Sequence, residues 1–242
     1  MPQSKTKTLN IIDIIALTVI FFGIAIWQSV STYVSSFNAG EAISFDMNTI
    51  TDQMQWMSIA QEIILLGIAV LYLWLRKFDF KVLKFQVNKW TIPLIIALII
   101  GGAAASDLGM LVTEAISPQT ESAISATTSE AAQYAVDQNA TVLPQITLLA
   151  VLFALLNGFF EEVFFLGLVF AVDKRSLPWA LLLSVLVRFS FHIYQGIPAA
   201  IGITCMGLIF MSARMKIKSL TPFTLAHSFF DIFGLSLLFW FF

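Results

Sequence analysis

The chain has 242 residues, of which 58% are hydrophobic and only 12% are charged, and its net charge is −2. Water-soluble domains usually carry about 25% charged residues, so the composition excludes an ordinary soluble protein and favours a membrane protein. The charge balance gives no general attraction to phosphate backbones, so nucleic acid is not an expected partner, and a lone cysteine, Cys205, excludes an internal disulfide.

Seven apolar segments are candidates for membrane spans, because about 20 apolar residues cross the hydrocarbon core of a bilayer. They cover residues 11–35, 55–75, 91–112, 145–172, 177–193, 197–213 and 220–242. The sequence therefore predicts an all-α protein, a polytopic transmembrane helix bundle of about seven spans. We divide it into residues 1–144, with three spans, a basic segment and an external loop, and residues 145–242, with the other four spans.

The basic residues indicate the orientation, since cytoplasmic loops of membrane proteins are enriched in lysine and arginine. A cytoplasmic N-terminus places twelve of the 13 basic residues on the cytoplasmic side: Lys5, Lys7, Arg76, Lys77, Lys81, Lys84, Lys89, Lys174, Arg175, Arg214, Lys216 and Lys218. The opposite loops, near residues 37–54 and 113–144, contain acidic residues and no basic one. The remaining basic residue, Arg188, lies inside the fifth span.

The basic segment between the second and third spans has two interpretations. Lys77, Lys81 and Lys84 lie at positions i, i+4 and i+7, beside an apolar stripe. This spacing is typical of an interfacial helix that binds anionic membrane lipid. A solvated basic linker explains the pattern equally well.

Ionisable residues inside the spans are candidates for function, because each costs at least ~2.5–3.5 kcal/mol to insert into the bilayer. There are nine: Asp13, Glu62, Asp107, Glu161, Glu162, Arg188, His192, His227 and Asp231. The first three lie close enough to span ends to reach the headgroups after a small shift of register. The other six all lie in the last hundred residues.

Depth and helical phase bring these six residues together. With a rise of ~1.5 Å per residue, they lie roughly 12–24 Å from the cytoplasmic ends of their helices, near the middle of the membrane. Arg188 and His192 share a helix face, as do His227 and Asp231, and Asn157 lies one turn before Glu161. The sequence predicts one polar pocket between the last four spans. A purely structural network of interhelical hydrogen bonds is the alternative.

Two carboxylates and two imidazoles suit general acid–base work on a water molecule. A His-Glu-x-x-His zinc motif is absent from the sequence, and no serine lies in a nucleophile-like glycine motif. A zinc site formed by Glu161, Glu162, His192 and His227 stays open as an alternative, because carboxylate and imidazole both bind zinc. We otherwise expect no cofactor.

Three short motifs resemble a known family. They are Glu161-Glu162-Val-Phe-Phe-Leu-Gly167, Arg188-Phe-Ser-Phe-His192-Ile-Tyr-Gln-Gly196 and His227-Ser-Phe-Phe-Asp231. In order and spacing they resemble the motifs of the CAAX prenyl protease and bacteriocin-processing (CPBP, or Abi) family of membrane-embedded glutamate proteases. The resemblance covers roughly residues 145–242, and it makes that region the catalytic part of the chain.

The resemblance implies a role for each residue. Glu161 would activate the hydrolytic water with help from His192, Glu162 would support the site, and His227 with Asp231 would stabilise the oxyanion. The family's first motif usually ends in arginine four residues after the second glutamate, where this chain has Leu166. Arg188 stands where the second motif often has phenylalanine, and we predict that it pairs with Glu161 or Glu162 in place of the missing arginine.

The resemblance implies a membrane-embedded endopeptidase in a bacterial cytoplasmic membrane. Its substrate would be a peptide or protein, such as a bacteriocin or quorum-signal precursor or a prenylated tail. Two other functions stay open: a non-proteolytic membrane scaffold or bacteriocin-immunity protein, and a small transporter that uses the same buried carboxylates. The sequence predicts no oligomeric state.

Overall fold

The computed structural model describes residues 8–39, 51–116 and 146–236, and most of these residues are helical. These ranges contain seven α-helices: α1 (Ile11–Ala39), α2 (Asp52–Leu75), α3 (Thr91–Ile116), α4 (Leu148–Glu162), α5 (Leu177–His192), α6 (Ile197–Arg214) and α7 (Thr221–Phe233). In these described ranges there is no β-strand, only an isolated parallel bridge between Leu9 and Val172. The prediction of an all-α bundle is confirmed.

Within the described part of the chain, six helical segments are long and apolar enough to cross a membrane. They are Ile11–Ala39, Asp52–Leu75, Thr91–Thr113, Leu148–Ala171, Leu177–Gln195 and Ile197–Arg214. The seventh helix, α7, has 13 residues, and residues 237–242 of the predicted seventh span lie outside the described part of the chain. The polytopic bundle is confirmed, whereas the seventh span, the orientation and the division at residue 145 stay predictions.

The first three helices pack directly on the last four. α1 packs on α5, α2 on α4, α3 on both α6 and α7, and α4 on α7. Aromatic side chains fill the contact with α1: the Phe22 ring lies 5.0 Å from Phe165 and 4.8 Å from Phe191, between ring centroids. Because lipid is as apolar as these side chains, close packing and interhelical hydrogen bonds hold such a bundle together.

A partly buried ion pair joins the start of α1 to the end of α2. The Arg76 guanidinium donates to both oxygens of Asp13, at 2.6 and 2.9 Å, and the Tyr72 hydroxyl donates to Asp13 at 2.8 Å. The Asp13 side chain is buried although it lies in the first turn of its helix. Arg76 and Tyr72 therefore replace, for the Asp13 carboxylate, the water that would solvate it at the predicted headgroup position.

Four connecting segments meet at this end of the bundle. The Asp173 amide donates to the Leu9 carbonyl at 2.9 Å, and the Leu220 amide donates to the Lys84 carbonyl at 2.8 Å. Hydrogen bonds from Ser176 hold the pKa of the Asp173 carboxyl below its usual range. The segments that carry most of the basic residues thus lie at one end, as the predicted orientation requires.

The basic segment after α2 is not an interfacial helix. It contains one short 3-10 helix, Phe80–Val82, which begins where the Asp79 carboxylate accepts a hydrogen bond from the Lys81 amide. The Phe85 ring stacks on Phe159 of α4, with centroids 5.4 Å apart. The helical interpretation is wrong because a side-chain cap and an aromatic contact fold the segment against the bundle. Binding of anionic lipid stays a prediction.

A glycine lets α4 and α7 cross closely. A Cβ atom at Gly158 would lie 2.6 Å from the Ser228 hydroxyl oxygen and 2.8 Å from the Thr224 carbonyl oxygen. Real Cβ contacts are essentially never this short, and one of the opposing atoms belongs to the backbone. The absent side chain therefore sets the distance between two helices that carry the candidate site.

Replacing this glycine should destabilise the bundle. We expect Gly158→Ala to lower the free energy of unfolding by about 1–3 kcal/mol, because the added methyl group must push the helices apart. Gly67→Ala in α2 is the matched control, since a Cβ there meets no atom within 4 Å. Unfolding in mixed detergent micelles measures both, and equal stabilities of the two variants would contradict the close crossing.

Candidate active site

The structure brings the predicted polar residues together at one level of the bundle. The seven residues are Asn157, Glu161 and Glu162 on α4, Arg188 and His192 on α5, and His227 and Asp231 on α7. Each lies within 4.0 Å of at least one other member of the set. The predicted convergence of three helices is what the structure shows.

Glu162 connects all three helices. Its Oε1 atom accepts from the Arg188 guanidinium at 3.0 Å and lies 2.7 Å from Nδ1 of His227. The Arg188 guanidinium also lies over the Phe165 ring, 4.1 Å from its centroid. α6 leaves room for this side chain because a Cβ at Gly207 would lie 2.6 Å from Cδ of Arg188. The predicted pairing of Arg188 with one of the two glutamates is thus found, with Glu162.

Glu161, the neighbouring carboxylate, has a different environment. Its Oε1 atom accepts a long hydrogen bond of 3.4 Å from Asn157. Its Oε2 atom lies 3.7 Å from Nε2 of His227, 3.8 Å from Arg188 and 4.0 Å from Nε2 of His192. None of these contacts is a hydrogen bond, so Oε2 is a buried acceptor with no donor among the described residues.

His192 and Asp231 complete the set from opposite sides. Neither ring nitrogen of His192 has a hydrogen-bond partner among the described residues, although both are buried. Asp231 accepts a 3.0 Å hydrogen bond from Asn157, and its other oxygen lies 3.6 Å from Nε2 of His227. Buried polar atoms without partners are costly, so such a group is a candidate for contact with water or substrate.

The helix that carries the glutamates changes its winding immediately after them. α4 continues as a π-helix, Val163–Leu168, and then as a 3-10 helix, Val169–Ala171, where the sequence predicts one regular span. π-Turns are frequent at functional sites. Nε of Arg214 donates to the Leu166 carbonyl at 2.9 Å. Arg214 therefore contacts the backbone at Leu166, the motif position that lacks its usual arginine. Sequence reasoning considered only Arg188 and missed this contact.

A cavity of about 100 Å³ opens beside Glu161. Its lining residues come from α1, α2, α4 and α5, and they include Gln61, Glu62, Asn157 and Glu161 as the polar members. The prediction that the pocket lies between the last four spans is therefore incomplete. Packing of α1 on α5 and of α2 on α4 is what adds the N-terminal helices to its wall.

Glu62 is the residue that sequence reasoning placed wrongly. α2 begins at Asp52, so Glu62 lies ten residues into the helix, about 15 Å from its start, and its side chain is buried. It therefore lies near the middle of α2 and not at a helix end, and Asp107 is likewise buried within α3. The sequence places the start of the second span at residue 55, whereas α2 begins at residue 52. The earlier start would have been the signal, because it moves Glu62 towards the middle of the span.

The zinc site on Glu161, Glu162, His192 and His227 stays a prediction. Across residues 8–39, 51–116 and 146–236, no group of three or more His, Cys, Asp or Glu side chains is arranged to hold a metal ion. Glu162, one of the four proposed ligands, directs Oε1 to Arg188 and to Nδ1 of His227. We therefore derive no step through a metal.

Comparison with known proteins agrees with the motifs. Residues 143–233 match the family model described as type II CAAX prenyl endopeptidase, Rce1-like, and all seven polar residues lie in the matched part. No curated protein and no solved structure matches the chain. The predicted resemblance is confirmed over this part of the chain. Together with the six apolar helices, the match indicates that the protein is a multi-pass membrane protein. Bacteriocin processing, the Abi relation and a bacterial origin stay predictions.

The contact between Glu162 and Arg188 can be tested by a double-mutant cycle. We expect Arg188→Met to destabilise the protein by ~3–5 kcal/mol, because it leaves a buried carboxylate with one partner fewer. Adding Glu162→Gln should recover part of that loss, with a coupling energy of about 1–3 kcal/mol in detergent unfolding. Additive effects of the two substitutions, which mean a coupling energy near zero, would show that Arg188 and Glu162 do not stabilise each other.

Proposed function

We propose that the chain is a membrane-embedded endopeptidase whose catalytic part is the segment similar to the type II CAAX prenyl endopeptidases, residues 143–233. One observation carries the proposal. Among residues 8–39, 51–116 and 146–236, Oε2 of Glu161 has no hydrogen-bond donor, and it lies 4.0 Å from Nε2 of His192, a buried nitrogen that has no partner in these ranges either. A water molecule between these two atoms would lie within hydrogen-bond distance of both.

Glu161 is the general base in this proposal. Its carboxylate takes a proton from the bound water as the water oxygen attacks the carbonyl carbon of the scissile peptide bond. His192 orients the water through Nε2, the ring nitrogen that faces Oε2 of Glu161. When the tetrahedral intermediate collapses, the C–N bond breaks and the proton passes from Glu161 to the leaving amine.

His227 supports the oxyanion. Its Nδ1 atom faces Glu162, and its Nε2 atom lies between Glu161 and Asp231. Donation from both nitrogens requires the imidazolium form, and the carboxylates of these three residues lie within 4 Å to balance its charge. A fixed cationic donor of this kind stabilises negative charge that develops on the carbonyl oxygen.

Asp231 positions this histidine and does not contact the oxyanion. Its Oδ2 atom is held by Asn157, and its Oδ1 atom lies 3.6 Å from Nε2 of His227. An ionised carboxylate next to an oxyanion would repel it, so Asp231 acts by orienting the imidazole. Glu162 and Arg188 are positioning residues in the same sense, since Glu162 holds the Nδ1 side of that ring and Arg188 holds Glu162.

A prenylated C-terminal peptide is the first substrate to test, because the matched family is described as one of CAAX prenyl endopeptidases. The protein is reconstituted into liposomes with a farnesylated CAAX peptide and with the same peptide without the lipid. We expect Glu161→Gln and His192→Ala to lower the cleavage rate at least about 100-fold, as loss of a general base or of its water does. Asp52→Asn, an exposed change at the start of α2, is the folded control.

Three results would contradict the proposal. Cleavage by Glu161→Gln at the wild-type rate would exclude Glu161 as the base. Loss of wild-type activity in chelator would require a metal in place of the glutamate mechanism. Failure of the folded wild-type protein to cleave either peptide would favour a scaffold or a transporter.

A further inference from the structure

Glu62 joins the candidate site from a part of the chain that the family match does not include. It lies on α2, whereas the match covers residues 143–233. Yet its side chain lines the same cavity as Glu161 and Asn157. The residue is only 9% exposed, and its Oε2 atom accepts no hydrogen bond from the described residues.

The lining of the cavity combines carboxylate and amide side chains with a mainly aromatic apolar surface. Its apolar wall consists of Phe21, Phe22, Ala25, Leu65, Phe160 and Phe191. Its volume of about 100 Å³ exceeds the roughly 10–15 Å³ that one water molecule needs. The space therefore suits a short apolar chain that ends in a hydrogen-bond donor.

The charges around the cavity favour a cationic donor. Arg188, the one arginine of the site, makes its hydrogen bond to Glu162, which is also bonded to His227. Glu62 lies near enough to Glu161 and Asp231 for their like charges to interact, and His227 offsets part of that repulsion. A buried carboxylate beside other carboxylates, with one oxygen that accepts no hydrogen bond from the described residues, is costly, so a bound cation would remove an unfavourable arrangement.

We propose that Glu62 forms a subsite for a basic side chain, lysine or arginine, of the peptide substrate, with the aromatic wall enclosing its methylene stem. The inference rests on the proposed endopeptidase function and names a substrate class for it. A charge-assisted hydrogen bond in a buried site is among the stronger polar contacts in proteins. Glu62 is then a specificity residue, and the water-activating pair is still Glu161 with His192.

A small probe tests the subsite without requiring cleavage. n-Butylammonium carries the head and stem of lysine, and n-butanol is its uncharged counterpart. We expect n-butylammonium to raise the unfolding temperature of the wild-type protein more than n-butanol does, and we expect Glu62→Gln to abolish the difference. Glu62→Asp should keep part of the difference, and Asp52→Asn, an exposed change on the same helix, should keep all of it. Equal effects of the two probes on the wild type, or a difference that survives in Glu62→Gln, would overturn the subsite.

Cleavage provides the second readout. Two peptide libraries differ at one position near the scissile bond, which is lysine in one and norleucine in the other. We expect the wild type to prefer lysine by at least about tenfold in kcat/KM, mainly through KM, and we expect Glu62→Gln to bring the ratio close to one. An unchanged ratio in Glu62→Gln would overturn the subsite while leaving the endopeptidase intact. Absence of all cleavage together with selective binding of n-butylammonium would overturn the endopeptidase and leave a cation site.

Discussion

The site depends on the buried carboxylate of Glu162. It is completely buried, and it meets Arg188 from α5 and His227 from α7 at 3.0 and 2.7 Å. A buried charge without partners is strongly destabilising, so three helices must meet at this level for the fold to be stable. Gly158, one turn earlier on α4, permits the close crossing with α7 that this contact requires. The same contact fixes the His227 ring with Nε2 towards Glu161.

The adjacent carboxylate takes the opposite role because its surroundings differ. Each glutamate keeps its Oε2 atom without a donor among the described residues, but Glu162 directs Oε1 to two bonded partners, whereas Glu161 lies beside the cavity and faces His192. Two neighbouring carboxylates with different environments can divide positioning and base functions between them. The π-helix that begins at Val163 follows directly, so the change in winding lies next to the pair.

The features that sequence could predict are those set by helical period and depth. The spans and the seven polar residues follow from apolar length, depth and i, i+4 spacing. The pairing of Arg188 with a glutamate follows from the depth of Arg188 and from the family motif that lacks its arginine at Leu166. The features it missed depend on which helices touch. Nothing in the sequence placed α2 against α4, so Glu62 looked like a headgroup residue; likewise Arg214 reaches Leu166 only because the chain folds back over 48 positions. The basic segment was missed for a local reason instead: the Lys81 amide donates to the Asp79 carboxylate, and this cap begins a short 3-10 helix in place of the expected α-helix.

The most direct test of the account is the separation of kcat from KM for Glu161→Gln in liposomes. If Glu161 activates water and does not bind the peptide, kcat falls at least about 100-fold while KM changes little. The glutamine side chain has the same size as that of glutamate, but its amide cannot accept a proton from water. A variant with normal kcat and raised KM would contradict the account, because Glu161 would then bind substrate and another group would be the base.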